Sequence, residues 1–185
     1  MEIINKYFDD TVFLLKAKKF YDKRGFFSEL YNKNSLKKLK IKDIFVQDNY
    51  SFSKKKGIIR GLHFQKPPFE QAKLIRVTKG KILDVVLDLR NNSPYYGKIK
   101  KFVLSRDNWY HVFIPPGFAH GFITLNNFTE VEYKVSNFYS KKHEMTIVWD
   151  DPTLSINWTI KPKEILSQKD KNGILFNDLK SPFYL

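Results

Sequence analysis

The chain has 185 residues, 42% of them hydrophobic, enough for a single domain over 1–185 with a buried core. Cysteine is absent, which excludes disulfides, thiolate metal sites and a cysteine nucleophile. The net charge of +14 raises a polyanion partner or a small anionic substrate. The lysine clusters are short, however, lie mostly near turn signals and form no helical stripe, so a solvated surface is the leading reading and nucleic acid is not expected as a partner.

In chain order, the opening MEIINKYFDDTVF has acidic residues where a signal peptide needs an apolar core, and no later apolar run approaches membrane-spanning length. A soluble, cytoplasmic chain is expected. Segments rich in β-branched and aromatic residues then recur between Gly, Pro, Asn, Asp or Ser: TVFLLKAKKF, GFFSELY, DIFVQDNYSFS, AKLIRVTKG, KILDVVLDL, KIKKFVLS, WYHVFIP, GFITL, TEVEYKVSNFY and MTIVWD. That is too many strands for an α/β unit and predicts an all-β sandwich or barrel. Helix is sparse. Ser35 is placed to cap a short LKKLK turn, and Pro162, followed by Lys-Glu-Ile-Leu-Ser, is placed to start a brief C-terminal helix. The stretch RNNSPYYG at 90–97 reads as a turn-rich connection.

Two clusters carry Gly and His together: RGLHFQ at 60–65 and IPPGFAHGF at 114–122. Taken alone, His63 reads first as a packed core histidine bonded to a backbone carbonyl, with a metal ligand and a base as the alternatives. Pro115, Gly117 and His120 reproduce the P-x-G-x-x-H spacing of the second cupin motif. The chain thus resembles a cupin, which implies a jelly-roll barrel, here with extra N-terminal strands, a few short helices and a C-terminal helical segment. Many cupins hold a metal through H-x-H. His63-Phe64-Gln65 puts an amide where the second imidazole would stand, a poor exchange at a transition-metal site, so no metal is expected.

A more specific resemblance spans about residues 20–170: DKRGFF, QDN, RGLHFQ with PP and QAKL, VVLDLR, IPPGFAHGF, EYK, FYSKKHE, WDDP and LSQKD, in that order. Together they resemble the dTDP-4-dehydrorhamnose 3,5-epimerase family. Thr159 and the basic stretch SKKKG at 53–57 depart from the family pattern and leave the nucleotide preference less fixed.

The resemblance implies a cofactor-independent isomerase acting at C3 and C5 of a nucleotide-linked 4-keto sugar, in the supply of sugars for surface polysaccharide. Hydrogens on C3 and C5 are acidic because the C4 carbonyl can take up the charge as an enolate, so the site needs a base, a donor at the carbonyl and an acid on the opposite face. By residue-level match His63 is the base, Asp170 its partner, Lys73 the donor to the enolate and Tyr133 the acid. Arg24, Glu29, Gln47, Asn49, Arg60, His120, Glu144 and Lys169 match the nucleotide, diphosphate and sugar contacts, and Tyr139 the aromatic that stacks on the base. The resemblance further implies a homodimer with an exchanged N-terminal strand, in which Arg24 and Glu29 act across the interface. Inversion at C3 alone, or of another nucleotide sugar such as a GDP-4-keto-heptose, stays open within the same chemistry. A metal-dependent cupin and a non-enzymatic binding module are the readings from other classes.

Overall fold

The computed structural model describes residues 1–163 and 165–184. In chain order the strands are β1 (Glu2–Tyr7), β2 (Val12–Lys16), β3 (Phe20–Asp22), β4 (Gly25–Phe27), β5 (Gln47–Ser53), β6 (Ile59–Gln65), β7 (Lys73–Lys79) and β8 (Lys81–Asp88). They continue with β9 (Arg90–Asn91), β10 (Ile99–Ser105), β11 (Tyr110–Ile114), β12 (Phe118–Thr124), β13 (Thr129–Val135), β14 (Glu144–Thr146) and β15 (Phe183–Tyr184). Two short α-helices are described, α1 (Lys33–Lys38) and α2 (Gln168–Lys171).

A six-stranded sheet, β1-β2-β11-β7-β13-β5, faces a five-stranded sheet, β10-β8-β12-β6-β14, and every pairing in both is antiparallel. The expected all-β cupin jelly roll is the observed architecture. Ile75, Val77, Val112, Ile114 and Val131 of the first sheet interdigitate with Ile82, Val86, Phe102, Leu104, Phe118 and Phe122 of the second, which is the core of a two-sheet sandwich. The outer faces are covered as well. Leu36 and Ile41 lie over Phe13, Leu15, Leu74 and Phe113, while Trp158, Phe176, Leu179 and Phe183 lie over Leu83, Val85 and Leu87. Covering on both faces explains why β8 and β12 read as continuous apolar runs rather than as alternating ones.

Several expectations change. EIINKY, read only for the absence of a signal peptide, forms β1 on the edge of the first sheet, and RGLHFQ is itself the greater part of β6. Of GFFSELY only Gly25–Phe27 is strand. Asn32, not Ser35, caps α1: its Oδ1 accepts from the N–H groups of Asn34 and Ser35, which places Ser35 inside the helix. The helix expected from Pro162 is not formed at 161–163 or 165–167, with Glu164 lying outside the described residues; α2 starts at Gln168 under a Ser167 cap. No helix among the described residues is long and apolar enough to cross a membrane.

Candidate active site

Strands β6 and β12 cross unusually closely. A Cβ on Gly61 would lie 2.5 Å from the Gly121 Cα, and one on Gly121 would lie 2.9 Å from the Arg60 carbonyl oxygen. Gly61 also has φ of +119°, a conformation that L side chains rarely adopt. The two glycines permit the contact, the register shifts between His120 and Phe122, and His63 pairs directly across from His120. Two imidazoles that lie far apart in sequence thus share one wall.

That wall borders a cavity of about 430 Å3 between the sheets. Gln47, Asn49 and Ser51 line it from β5; Arg60, His63 and Gln65 from β6; Lys73 from β7; His120 and Phe122 from β12; and Tyr133 from β13. Tyr139, Glu144, Ser167, Lys169 and Asp170 complete its rim. Of the residues singled out in the sequence, Arg24 and Glu29 are not brought here. Arg24 is 91% exposed and bonded to Asp22, and Glu29 accepts from Asn32 and Ser35.

His63 Nε2 lies 2.5 Å from Asp170 Oδ1. Asp170 is tied down at three further points. The Gly61 N–H donates to Oδ1 at 3.3 Å, the Ser167 hydroxyl donates to Oδ2 at 2.6 Å, and the Asp170 N–H returns a bond to Ser167 Oγ. Burial by itself would raise the Asp170 carboxyl, but the bonds from His63, Ser167 and Gly61 hold it below the usual carboxylate range. Burial also pushes His63 below its ordinary value, against the pull of Asp170, so its imidazole is neutral at neutral pH and free to accept a proton.

A second pair stands beside the first. His120 Nε2 lies 2.7 Å from Asp84 Oδ2, and Asp84 is wholly buried with its other oxygen unpartnered. Asp84 and Ser167 were not singled out in the sequence. Asp84 was detectable as a lone acid in the apolar run KILDVV, and Ser167 as the first residue of an S-x-x-D cap leading to Asp170.

Lys73, 8% exposed, donates to the His63 carbonyl oxygen at 3.2 Å. Burial, reinforced by the charge of Lys169, brings its ammonium down to about 8, while Asp84 and Glu144 act in the opposite sense. Burial likewise raises the Tyr133 phenol, which keeps it protonated as a donor must be. At the rim Glu144 accepts from Lys169 at 2.6 Å and from the Tyr139 hydroxyl at 3.1 Å. Arg60 reaches the Phe52 carbonyl and the Ser53 hydroxyl, and Gln47 donates to Asn49. No group of three or more His, Asp or Glu side chains among the described residues is gathered as metal ligands.

Residues 9–178 match the model of the dTDP-4-dehydrorhamnose 3,5-epimerase family. The chain belongs to this family. It is 44% identical over 160 residues to the dTDP-4-dehydrorhamnose 3,5-epimerase of Sinorhizobium fredii, covering 86% of this chain and 82% of that protein. Among solved structures it resembles the Bacillus anthracis dTDP-4-dehydrorhamnose 3,5-epimerase with TDP and PPi bound, at 46% identity and a TM-score of 0.90 over 94% of this chain and 98% of that one. It also resembles the Legionella pneumophila dTDP-6-deoxy-D-glucose-3,5-epimerase in complex with dTDP-4-keto-L-rhamnose, at 37% identity and a TM-score of 0.91, covering 100% of this chain and 98% of that one.

Proposed function

We propose that this chain inverts C3 and C5 of a dTDP-linked 4-keto-6-deoxy sugar, converting the D-gluco form to the L-rhamnose precursor. The observation that carries this reading is the convergence of His63 with its tethered Asp170, Lys73 and Tyr133 on one cavity.

His63 takes the hydrogen from C5 or C3 as a proton, and the electron pair moves onto the C4 oxygen. The Lys73 ammonium faces that oxygen. At a buried position such as that of Lys73 an ammonium is costly unless it meets a negative partner, so its attraction for the enolate exceeds its attraction for the neutral ketone, and the transition state gains over the ground state. Tyr133 returns a proton to carbon from the opposite face; return from the same face would restore the starting sugar. His63 and Tyr133 then exchange protons with solvent, and the second centre follows by the same steps. Atoms and oxidation state balance without a cofactor.

Gln47, Asn49, Arg60, His120, Tyr139, Glu144 and Lys169 are read as the substrate-holding set, with arginine and lysine suited to the diphosphate and Tyr139 to stacking on the base. Arg24 and Glu29 are read as acting in a partner's cavity. Phe20, Tyr21, Phe26 and Phe27 leave the β3-β4 hairpin mostly apolar and exposed beside them, which supports a homodimer that exchanges this hairpin. Strands β1 and β2 pair within their own chain, and the N-terminal element read as exchanged is therefore the exposed hairpin strand pair β3-β4. Residues 1–185 are read as one catalytic domain, because both sheets furnish one cavity, and a nucleotide-sugar substrate is what supports a cytoplasmic reaction.

Incubation in D2O with dTDP-4-keto-6-deoxy-D-glucose, followed by mass spectrometry and NMR, tests the reading. Deuterium is expected at both C3 and C5. A single deuteron at C3 would make the chain a C3 epimerase, and exchange only with a GDP-linked sugar would reassign the nucleotide.

A further inference from the structure

Gln65 occupies the place where a metal-binding cupin carries its second imidazole, and its side chain is fully engaged. Nε2 donates to the carbonyl oxygens of Phe69 at 2.6 Å and Phe138 at 3.1 Å, and Oε1 accepts from the Ser140 N–H at 2.7 Å. The last two contacts bracket one residue. Phe138 and Ser140 flank Tyr139, so a single buried amide fixes the peptide groups on either side of the residue whose ring stands at the rim of the cavity.

Tyr139 needs such a bracket because little else holds it. It is 55% exposed, belongs to no aromatic pair among the described residues, and its hydroxyl reaches only the carboxylate of Glu144. Its N–H makes a longer bond, 3.3 Å, to Gln47 Oε1. The rest of the loop is anchored independently: Gln71 donates to the Asn137 carbonyl at 2.7 Å, Asn137 donates to the Pro68 carbonyl at 3.0 Å, and the His143 ring lies over Phe69. Removing Gln65 therefore leaves the loop attached while freeing the peptides that orient Tyr139.

We propose that Gln65 is a positioning residue for the nucleotide end of the substrate. It presets the Tyr139 ring as a platform for a base and leaves the diphosphate and the reacting sugar untouched. The inference rests on the reading of Tyr139 as the base-stacking residue. The third position of the motif, which serves metal chemistry in other barrels, here serves ligand recognition through the backbone.

Gln65→Leu, close in volume and without polar atoms, and Gln65→Met, as an alternative should the first not fold, separate the ends of the ligand. By calorimetry, dTDP affinity is expected to fall about tenfold, the scale for losing a pair of buried hydrogen bonds, while pyrophosphate affinity stays within about twofold. In turnover KM rises by a similar factor and kcat changes by less than about threefold. Adding Gln65→Leu to Tyr139→Ala should cost nothing further. Equal losses for dTDP and pyrophosphate, a fall confined to kcat, or a full additional loss in the double variant would overturn the positioning role. Tyr139→Ala alone tests the reading beneath it: unchanged dTDP affinity in that variant would remove the stacking platform, whatever Gln65 does.

Discussion

The two histidine–aspartate pairs sit opposite each other on adjacent strands, yet they are built for different work. Asp170 comes from a four-residue helix outside the sheets, and both its oxygens receive hydrogen bonds in addition to the contact with His63. Asp84 comes from the middle of β8, is wholly buried, and has one oxygen with no partner at all. His63 is the more open imidazole, 20% exposed at the side chain against 9% for His120. A carboxylate fully satisfied by donors holds its histidine in one tautomer and steadies the imidazolium that forms after abstraction. A carboxylate with an unpartnered oxygen instead acts at a distance, and Asp84 acts on Lys73, whose ammonium bonds to the His63 carbonyl rather than to a carboxylate. In the proposed mechanism the first pair moves the proton, while the second sets Asp84 within electrostatic reach of Lys73.

That division is broken most severely at His63. His63→Asn should lower kcat/KM by about three orders of magnitude and abolish deuterium exchange at both carbons, because a general base commonly contributes on this scale. Exchange at the wild-type rate would transfer the base role to His120. Tyr133→Phe is expected to lower inversion by about a hundredfold while exchange from His63 persists, since proton removal and opposite-face return are separate steps; stereochemical analysis of the product in D2O reads the two apart.

Asp84→Asn sharpens the contrast. It keeps an acceptor for His120 but deletes the charge that raises Lys73, so Lys73 should lose its proton below its present value of about 8. The sign follows directly: the donor is charged only below its own pKa, so the alkaline limb of kcat/KM moves to lower pH. The loss is about tenfold near pH 8 and smaller near pH 6.5, which a pH profile would show. The smallest effect belongs to Ser167→Ala. Without the hydroxyl on Oδ2 the Asp170 carboxylate holds a proton more tightly, the acid limb moves up in pH, and kcat/KM falls by about three- to tenfold; Ser167→Thr should restore both. A uniform loss at all pH values would assign Ser167 to folding alone.

The sequence revealed the first pair and not the second, for a physical reason. His63, Lys73, Tyr133 and Asp170 lie in short motifs whose order resembles a family, whereas Asp84 lies in a strand covered on both faces, where inward and outward positions look alike. The strand-rich composition was enough to read an all-β architecture. The edge strand β1 is hard to read because EIINKY is half polar and mostly exposed, and the cap of α1 because Asn32 lies four residues ahead of the Leu-Lys-Lys run that reads as helix. Arg24 and Glu29 match the family by residue, but they lie outside the cavity of their own chain, a difference that no periodicity along the sequence encodes.

The crossing of Gly61 and Gly121 bears on how such a barrel can diversify. Any side chain at either position drives into backbone of the opposing strand, so the spacing of the two imidazoles is inherited as a unit and cannot be tuned in small steps. Accommodation of a bulkier or differently substituted sugar is expected on the opposite wall, among Gln47, Asn49 and Ser51 but not Tyr133, where side chains rather than backbone meet the cavity. A library confined to that wall would explore new substrates at constant chemistry, whereas one that includes the glycines would be populated largely by inactive barrels.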